Sequence, residues 1–130
     1  MGMKIESGAI TSTTIANAII PVIVSAAQNA VSTTAAVGVA NYNTTLTTVG
    51  AEITPTLANG AITGQLKRVQ MITDGGFNAV LTPATAFNGG ATTITFADVG
   101  DVAELMWNGT AWQVLALYNI ADGATAPVLA

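Results

Sequence analysis

Neither cysteine nor histidine occurs in this chain of 130 residues. Their absence excludes disulfides, thiol chemistry, the imidazole general base and the usual zinc, haem and iron–sulfur ligand sets. Charge is scarce as well. Asp, Glu, Lys and Arg make up 8% of the residues, against about 25% in an ordinary soluble domain. Lys4, Lys67 and Arg68 are the only cations, and the net charge is −4. Three cations cannot neutralise many phosphates, so no nucleic-acid partner is expected. A long hydrophobic run is also missing. The longest apolar stretch, Ile15 to Ala27, is broken by Asn17, Pro21 and Ser25, and falls short of the roughly 18 residues of a spanning helix. Two Trp and two Tyr are too few for the aromatic girdles of a membrane barrel. We therefore expect no membrane partner, no cofactor, no metal and no enzymatic activity.

Apolar residues, by contrast, supply 51% of the chain, and much of the remainder is Thr, Asn and Gly. A soluble monomer normally carries more charge. A membrane protein, an aggregating chain and an obligate assembly with buried interfaces would each account for this. The assembly fits best, because large apolar surfaces are rare on monomers. The length suits one domain, or one domain plus an extended arm.

Composition shifts near Gly60. Residues 1–60 are nearly free of charge and read as an N-terminal β-rich arm or strand set. Residues 61–130 read as a C-terminal β-domain, and the two could form one continuous domain. In the first part, β-branched runs at 10–15, 19–24, 31–40 and 44–49 favour strands. Pro21 confines its run to an edge or a bulge. The Ala-rich window Ser25 to Val31 could make a helical turn, but nothing caps a long helix. In the second part, Gln65 to Thr73, Phe77 to Thr82, Thr92 to Phe96, Val102 to Trp107 and Thr110 to Tyr118 read as strands separated by Gly, Asn, Asp and Pro. Asn108-Gly109 between two apolar strands predicts a hairpin with a type I′ turn. Strict alternation along the last strand puts Trp112, Val114, Ala116 and Tyr118 on one face and Gln113, Leu115 and Leu117 on the other. A strand apolar on both faces calls for a second layer or a second subunit. No fixed repeat period is present. The expected fold is all-β, an antiparallel sandwich or small barrel.

One ordered set of residues is more specific. It runs through Gly64-Gln65-Leu66-Lys67, Met71-Ile72-Thr73-Asp74 and Leu81-Thr82-Pro83. It continues through Thr92-Thr93-Ile94-Thr95-Phe96 and Val99-Gly100-Asp101, and ends at Leu105-Met106-Trp107-Asn108-Gly109-Thr110-Ala111-Trp112. Over about the second half of the chain this resembles a β-rich module of tailed-bacteriophage virion proteins, found in head decoration (capsid cement) proteins and in head-fibre or tail-fibre tips. The resemblance implies a homotrimer without catalysis on the outer capsid surface of a virion, with the major capsid protein as partner. Short length favours decoration over a fibre tip that binds a host receptor. A secreted adhesin subunit is a further alternative.

Candidate interface or packing residues follow. Trp107 and Trp112 flank the hairpin turn and could stack sugars, but core or interface packing is the better reading. Val114, Leu115, Leu117 and Tyr118 supply the two apolar faces of the last strand. Lys67 and Arg68, adjacent on a strand, point to opposite faces. Each would pair with a shell, bridge subunits or stand in solvent. Asp98, Asp101 and Glu104, with Asp74 and Asp122 elsewhere, offer hard oxygen ligands for calcium. Their spacing is not that of an EF-hand, and turn chemistry explains them better.

Overall fold

The computed structural model describes residues 29–121 and 125–130. The runs at 10–15 and 19–24, and Asp122, lie outside the described residues. No helix occurs among the described residues, which form ten strands. These are β1 (Asn29–Val31), β2 (Ala36–Val37), β3 (Asn43–Thr47), β4 (Thr56–Leu57), β5 (Leu66–Thr73), β6 (Ala79–Pro83), β7 (Ile94–Phe96), β8 (Asp101–Trp107), β9 (Trp112–Asn119) and β10 (Val128–Leu129). They build two five-stranded sheets. Sheet I has the order β1-β3-β5-β8-β9, and sheet II has the order β10-β7-β6-β4-β2.

The first six strands alternate between the sheets. Each pairs in parallel with the strand two places away: β1 with β3, β3 with β5, β2 with β4, and β4 with β6. The chain from Asn29 to Pro83 is thus a flattened coil of three turns, with one strand of every turn in each sheet. From β6 onward the pairing turns antiparallel, through β7, β8, β9 and β10. The expectation of an antiparallel sandwich therefore needs correction. The fold is all-β, but both sheets are mixed. Parallel neighbours need a connection that crosses between their ends, and here each connection runs through the opposite sheet.

The run at 31–40 is correspondingly two strands, not one. Val31 closes β1 in sheet I, the chain crosses at 32–35, and β2 begins in sheet II. No boundary falls at Gly60 among the described residues. Strands from before and after it pair in both sheets and share one core.

Side chains stack in register inside the coil. Val31, Leu46 and Met71 lie side by side in sheet I, and all three are buried. Sheet II answers with Val37, Leu57, Leu81, Ile94 and Phe96, and Phe87 joins from the β6–β7 connection. Alternation sends every second side chain inward, so Val69 and Met71 of β5 meet this core while Arg68 and Gln70 do not.

Candidate docking surface

All three crossings from sheet I to sheet II in the coil lie at one end of the sandwich, together with the β7–β8 connection and the exit from β9. We call this the crossover end. The β6–β7 and β8–β9 hairpins lie at the other, the hairpin end. Two glycines draw the crossover end together. A Cβ on Gly75 would lie 2.5 Å from the backbone oxygen of Thr48, so only glycine lets the loop after β5 touch the loop after β3. Thr48 locks that contact: its hydroxyl donates to the Phe77 carbonyl at 2.8 Å and accepts from the Gly75 N–H at 3.1 Å. Gly100 has φ 92°, in the left-handed region that glycine tolerates. Its N–H donates to the Met71 carbonyl, and its own carbonyl accepts from the Ile120 N–H. The ends of β3, β5, β8 and β9 are thereby fixed next to one another.

These tight contacts leave five large apolar side chains in solvent. Val49 is 74% exposed, Ile120 53%, Ile72 46%, Val99 44% and Phe77 40%. The acidic residues Glu52, Asp74 and Asp98 share this end. The two described cations, Lys67 and Arg68, lie in the first half of β5, towards the hairpin end. Exposed apolar side chains in the last turn of β5 and on the loops at this end of four adjacent strands, with no described cation among them, make this end suited to burial against another molecule. Sequence reasoning missed it, because its members are scattered from position 49 to position 120.

The candidate residues of the last hairpin fall differently. Trp107 and Trp112 are opposite each other in the β8–β9 register. Their rings meet edge to face, with centroids 5.5 Å apart and an interplanar angle of 62°. Both are buried, and Trp112 Nε1 donates to the Ala58 carbonyl at 2.9 Å. Neither indole offers a face to a sugar. The turn between them is a four-residue loop, 108–111, instead of a two-residue type I′ turn. Asn108 Oδ1 accepts from the N–H groups of Thr110 and Ala111, so the side chain shapes the turn and only Gly109 takes a positive φ.

A bulge corrects the facing of β9. Leu105 pairs with Val114 and Glu104 with Ala116, leaving Leu115 unopposed. One extra residue reverses the alternation beyond it. Trp112, Val114 and Leu117 therefore face the core, Ala116 and Tyr118 lie on the outer face of sheet I, and Leu115 is exposed.

Lys67 also departs from expectation. It is not solvated, and it is in no ion pair among the described residues. It faces inward and is 1% exposed. Its ammonium donates to the carbonyls of Gly38 (2.8 Å) and Asn41 (2.7 Å) and to the Thr44 hydroxyl, so all three N–H bonds have acceptors. Burial lowers its pKa from 10.5 to about 8. Arg68, on the outer face, donates to Asn43 Oδ1 and Gln70 Oε1.

A pH dependence follows from Lys67. Its folded pKa lies below its unfolded value, so the unfolded chain holds the extra proton between about pH 8 and 10.5. Stability rises with pH wherever the unfolded state binds more protons. We expect the urea midpoint of the native protein to climb across that window relative to Lys67→Met, by at most about 1.4 kcal/mol per pH unit. A gap between the two proteins that stays constant with pH would show that the ammonium keeps its ordinary affinity for the proton.

The carboxylates do structural work. Asp101 is buried, accepts from the N–H groups of Ala97 and Asp98 through Oδ2, and from Asn119 Nδ2 through Oδ1. Asp98 accepts from the Thr125 hydroxyl, and Asp74 accepts from the Gly76 and Phe77 N–H groups. No group of three or more acidic residues placed to hold a metal ion occurs among the described residues. A shallow cleft of about 120 Å³ on sheet I is lined by Tyr42, Leu66, Lys67, Glu104, Leu105 and Leu115. It is smaller than the roughly 300 Å³ at which small-molecule pockets begin.

No protein family, curated protein or solved structure matches the chain. The functional reading therefore rests on the geometry and on the resemblance of residues 62–118.

Proposed function

We propose that this is a structural, non-enzymatic virion protein, a capsid decoration protein that docks on the major capsid protein at the outer surface of a phage head and cements neighbouring capsomers as a homotrimer. The observation that carries the docking mode is the apolar crossover end, where Val49, Ile72, Phe77, Val99 and Ile120 stand in solvent. Burying such groups yields about 25 cal/mol per Å², and the mechanism is interfacial burial without chemistry. The resemblance supplies the shell as partner. The alternative of a receptor-binding fibre tip asks for ligand-facing aromatics, and the two tryptophans that could stack sugars, Trp107 and Trp112, are buried.

Co-sedimentation with capsids stripped of the protein tests this. The expected result is saturable binding at a fixed ratio to the major capsid protein, with greater resistance of the shell to heat. The double variant Val49→Asp, Phe77→Asp should bind at least about tenfold more weakly and keep its β-sheet circular dichroism. Absence of binding by the native protein would overturn the decoration reading, and adherence to host cells instead would support a fibre tip. A stable monomer at micromolar concentration would remove the trimer.

A further inference from the structure

The outer face of sheet I carries a second apolar patch, separate from the crossover end. Leu66 of β5 is 48% exposed, Leu115 of β9 55%, and Tyr42, just before β3, 37%. All three line the shallow cleft, together with Glu104 of β8. Leu115, unopposed at the bulge, stands beside that cleft. At about 120 Å³ the cleft is too small for a metabolite-sized ligand. It can still seat one aliphatic side chain, and side chains that fill such hollows anchor protein interfaces.

Charge decides which partner fits. Arg68 and Glu104 stand opposite each other in the β5–β8 register, on this same face. The Arg68 guanidinium turns to Asn43 and Gln70, and the Glu104 carboxylate accepts no hydrogen bond among the described residues. Lys67 is buried, so Arg68 is the only described cation at the surface. The net charge of the chain is −4, and acidic surfaces of two copies repel each other. Here, among the described residues, a copy can bring a cation to an acid. A purely acidic partner would meet Glu104, and a purely basic one would meet Arg68. A surface with both signs side by side complements the face, and a second copy of the chain supplies one.

We infer that the face around Leu66 and Leu115 is where copies of this chain associate, with Arg68 of one copy against Glu104 of the next. The number of copies rests on the homotrimer reading above; the face does not. Sedimentation velocity of the full chain, without capsids, tests it. Leu115→Asp should weaken self-association at least about tenfold and keep the β-sheet circular dichroism. Arg68→Glu should weaken it about tenfold, and adding Glu104→Arg should regain the native assembly. The crossover-end variant Val49→Asp, Phe77→Asp should assemble like the native protein. A native chain that stays monomeric would overturn the inference. So would assembly unchanged by Leu115→Asp, a charge swap that fails to regain what Arg68→Glu loses, or loss of assembly in the crossover-end variant. If Arg68→Glu does not fold, Leu115→Asp still decides. Failure of the native protein to bind shells leaves these results standing, because no capsid enters the measurement. Assembly through this face into something other than a trimer would support the inference and correct the homotrimer reading.

Discussion

Trp112→Ala should cost about 3–5 kcal/mol, much of the roughly 5–15 kcal/mol that holds a domain of this size together. The indole is fully buried and closes the hairpin end of the core. Its ring contributes the edge-to-face contact with Trp107, and such pairs add about 0.5–1.5 kcal/mol beyond the area they bury. Its N–H satisfies the Ala58 carbonyl, which fixes the start of the β4–β5 connection. The truncated site cannot collapse easily, because the Trp112 carbonyl is itself held by the Asn88 N–H and the Trp107 carbonyl by the Gly64 N–H. Trp112→Phe separates the terms. It keeps most of the ring and removes the N–H, so about 1 kcal/mol should go from the lost hydrogen bond, with a further share from reduced packing. Urea midpoints of the three proteins, read with a common slope, give both values. A loss below about 1 kcal/mol for Trp112→Ala would mean that the indole is not a core residue, and would return it to the candidates for ligand contact.

Much of the second half was legible in the sequence. Strands β5 to β9 follow from β-branched and aromatic runs bounded by Gly, Asn, Asp and Pro. The β8–β9 pair was marked by Asn108-Gly109, although the Asn108 side chain builds a longer turn than expected. Two features were hidden for physical reasons. The bulge at Leu115 carries no glycine to mark it, and a single unopposed residue moves Tyr118 from the face of Trp112 to the opposite one. The coil was hidden because its turns are unequal. The step from Asn29 to Thr44 is 15 residues, that from Ala36 to Thr56 is 20, and that from Thr56 to Thr82 is 26. Such turns leave no sequence period, even though their side chains stack in register. Sequential strands that lie in different sheets also need no hairpin turn between them, and so lose the strongest local signal of strand pairing.

The apolar crossover end shows a related limit. Val49, Ile72, Phe77, Val99 and Ile120 each look like an incidental exposed residue beside a turn. They become a surface only because Gly75 and Gly100 permit close backbone approach across four strands. The glycines were visible in the sequence as turn residues, but what they approach is a property of the topology.

Lys67→Met should destabilise the fold by about 2–4 kcal/mol, and here a signal was available. Lys67 shares its parity on β5 with Val69 and Met71, so a strand that buries those two also turns the lysine inward. Methionine keeps a similar volume and length, so the substitution removes donors more than packing. The carbonyls of Gly38 and Asn41 and the Thr44 hydroxyl would lose their common partner. A buried polar group left unsatisfied costs about 1–3 kcal/mol; the Thr44 hydroxyl keeps its bond to Asn29 Oδ1, so the loss falls mainly on the two carbonyls, and partial access of water to the β2–β3 crossing reduces it. Opposing this, the native protein bears the cost of desolvating an ammonium, which is why its pKa falls. Replacing a buried ion by an apolar side chain is sometimes neutral for that reason. The hydrogen bonds should win here, because all three donors are matched and the acceptors belong to two separate segments, the β2–β3 crossing and β3. Arg68→Met is the control: its guanidinium lies on the outer face among side-chain amides, and about 0.5 kcal/mol or less is expected. Equal midpoints for the two variants would show that desolvation cancels the three bonds, leaving Lys67 a constraint on the position of the crossing without net stability.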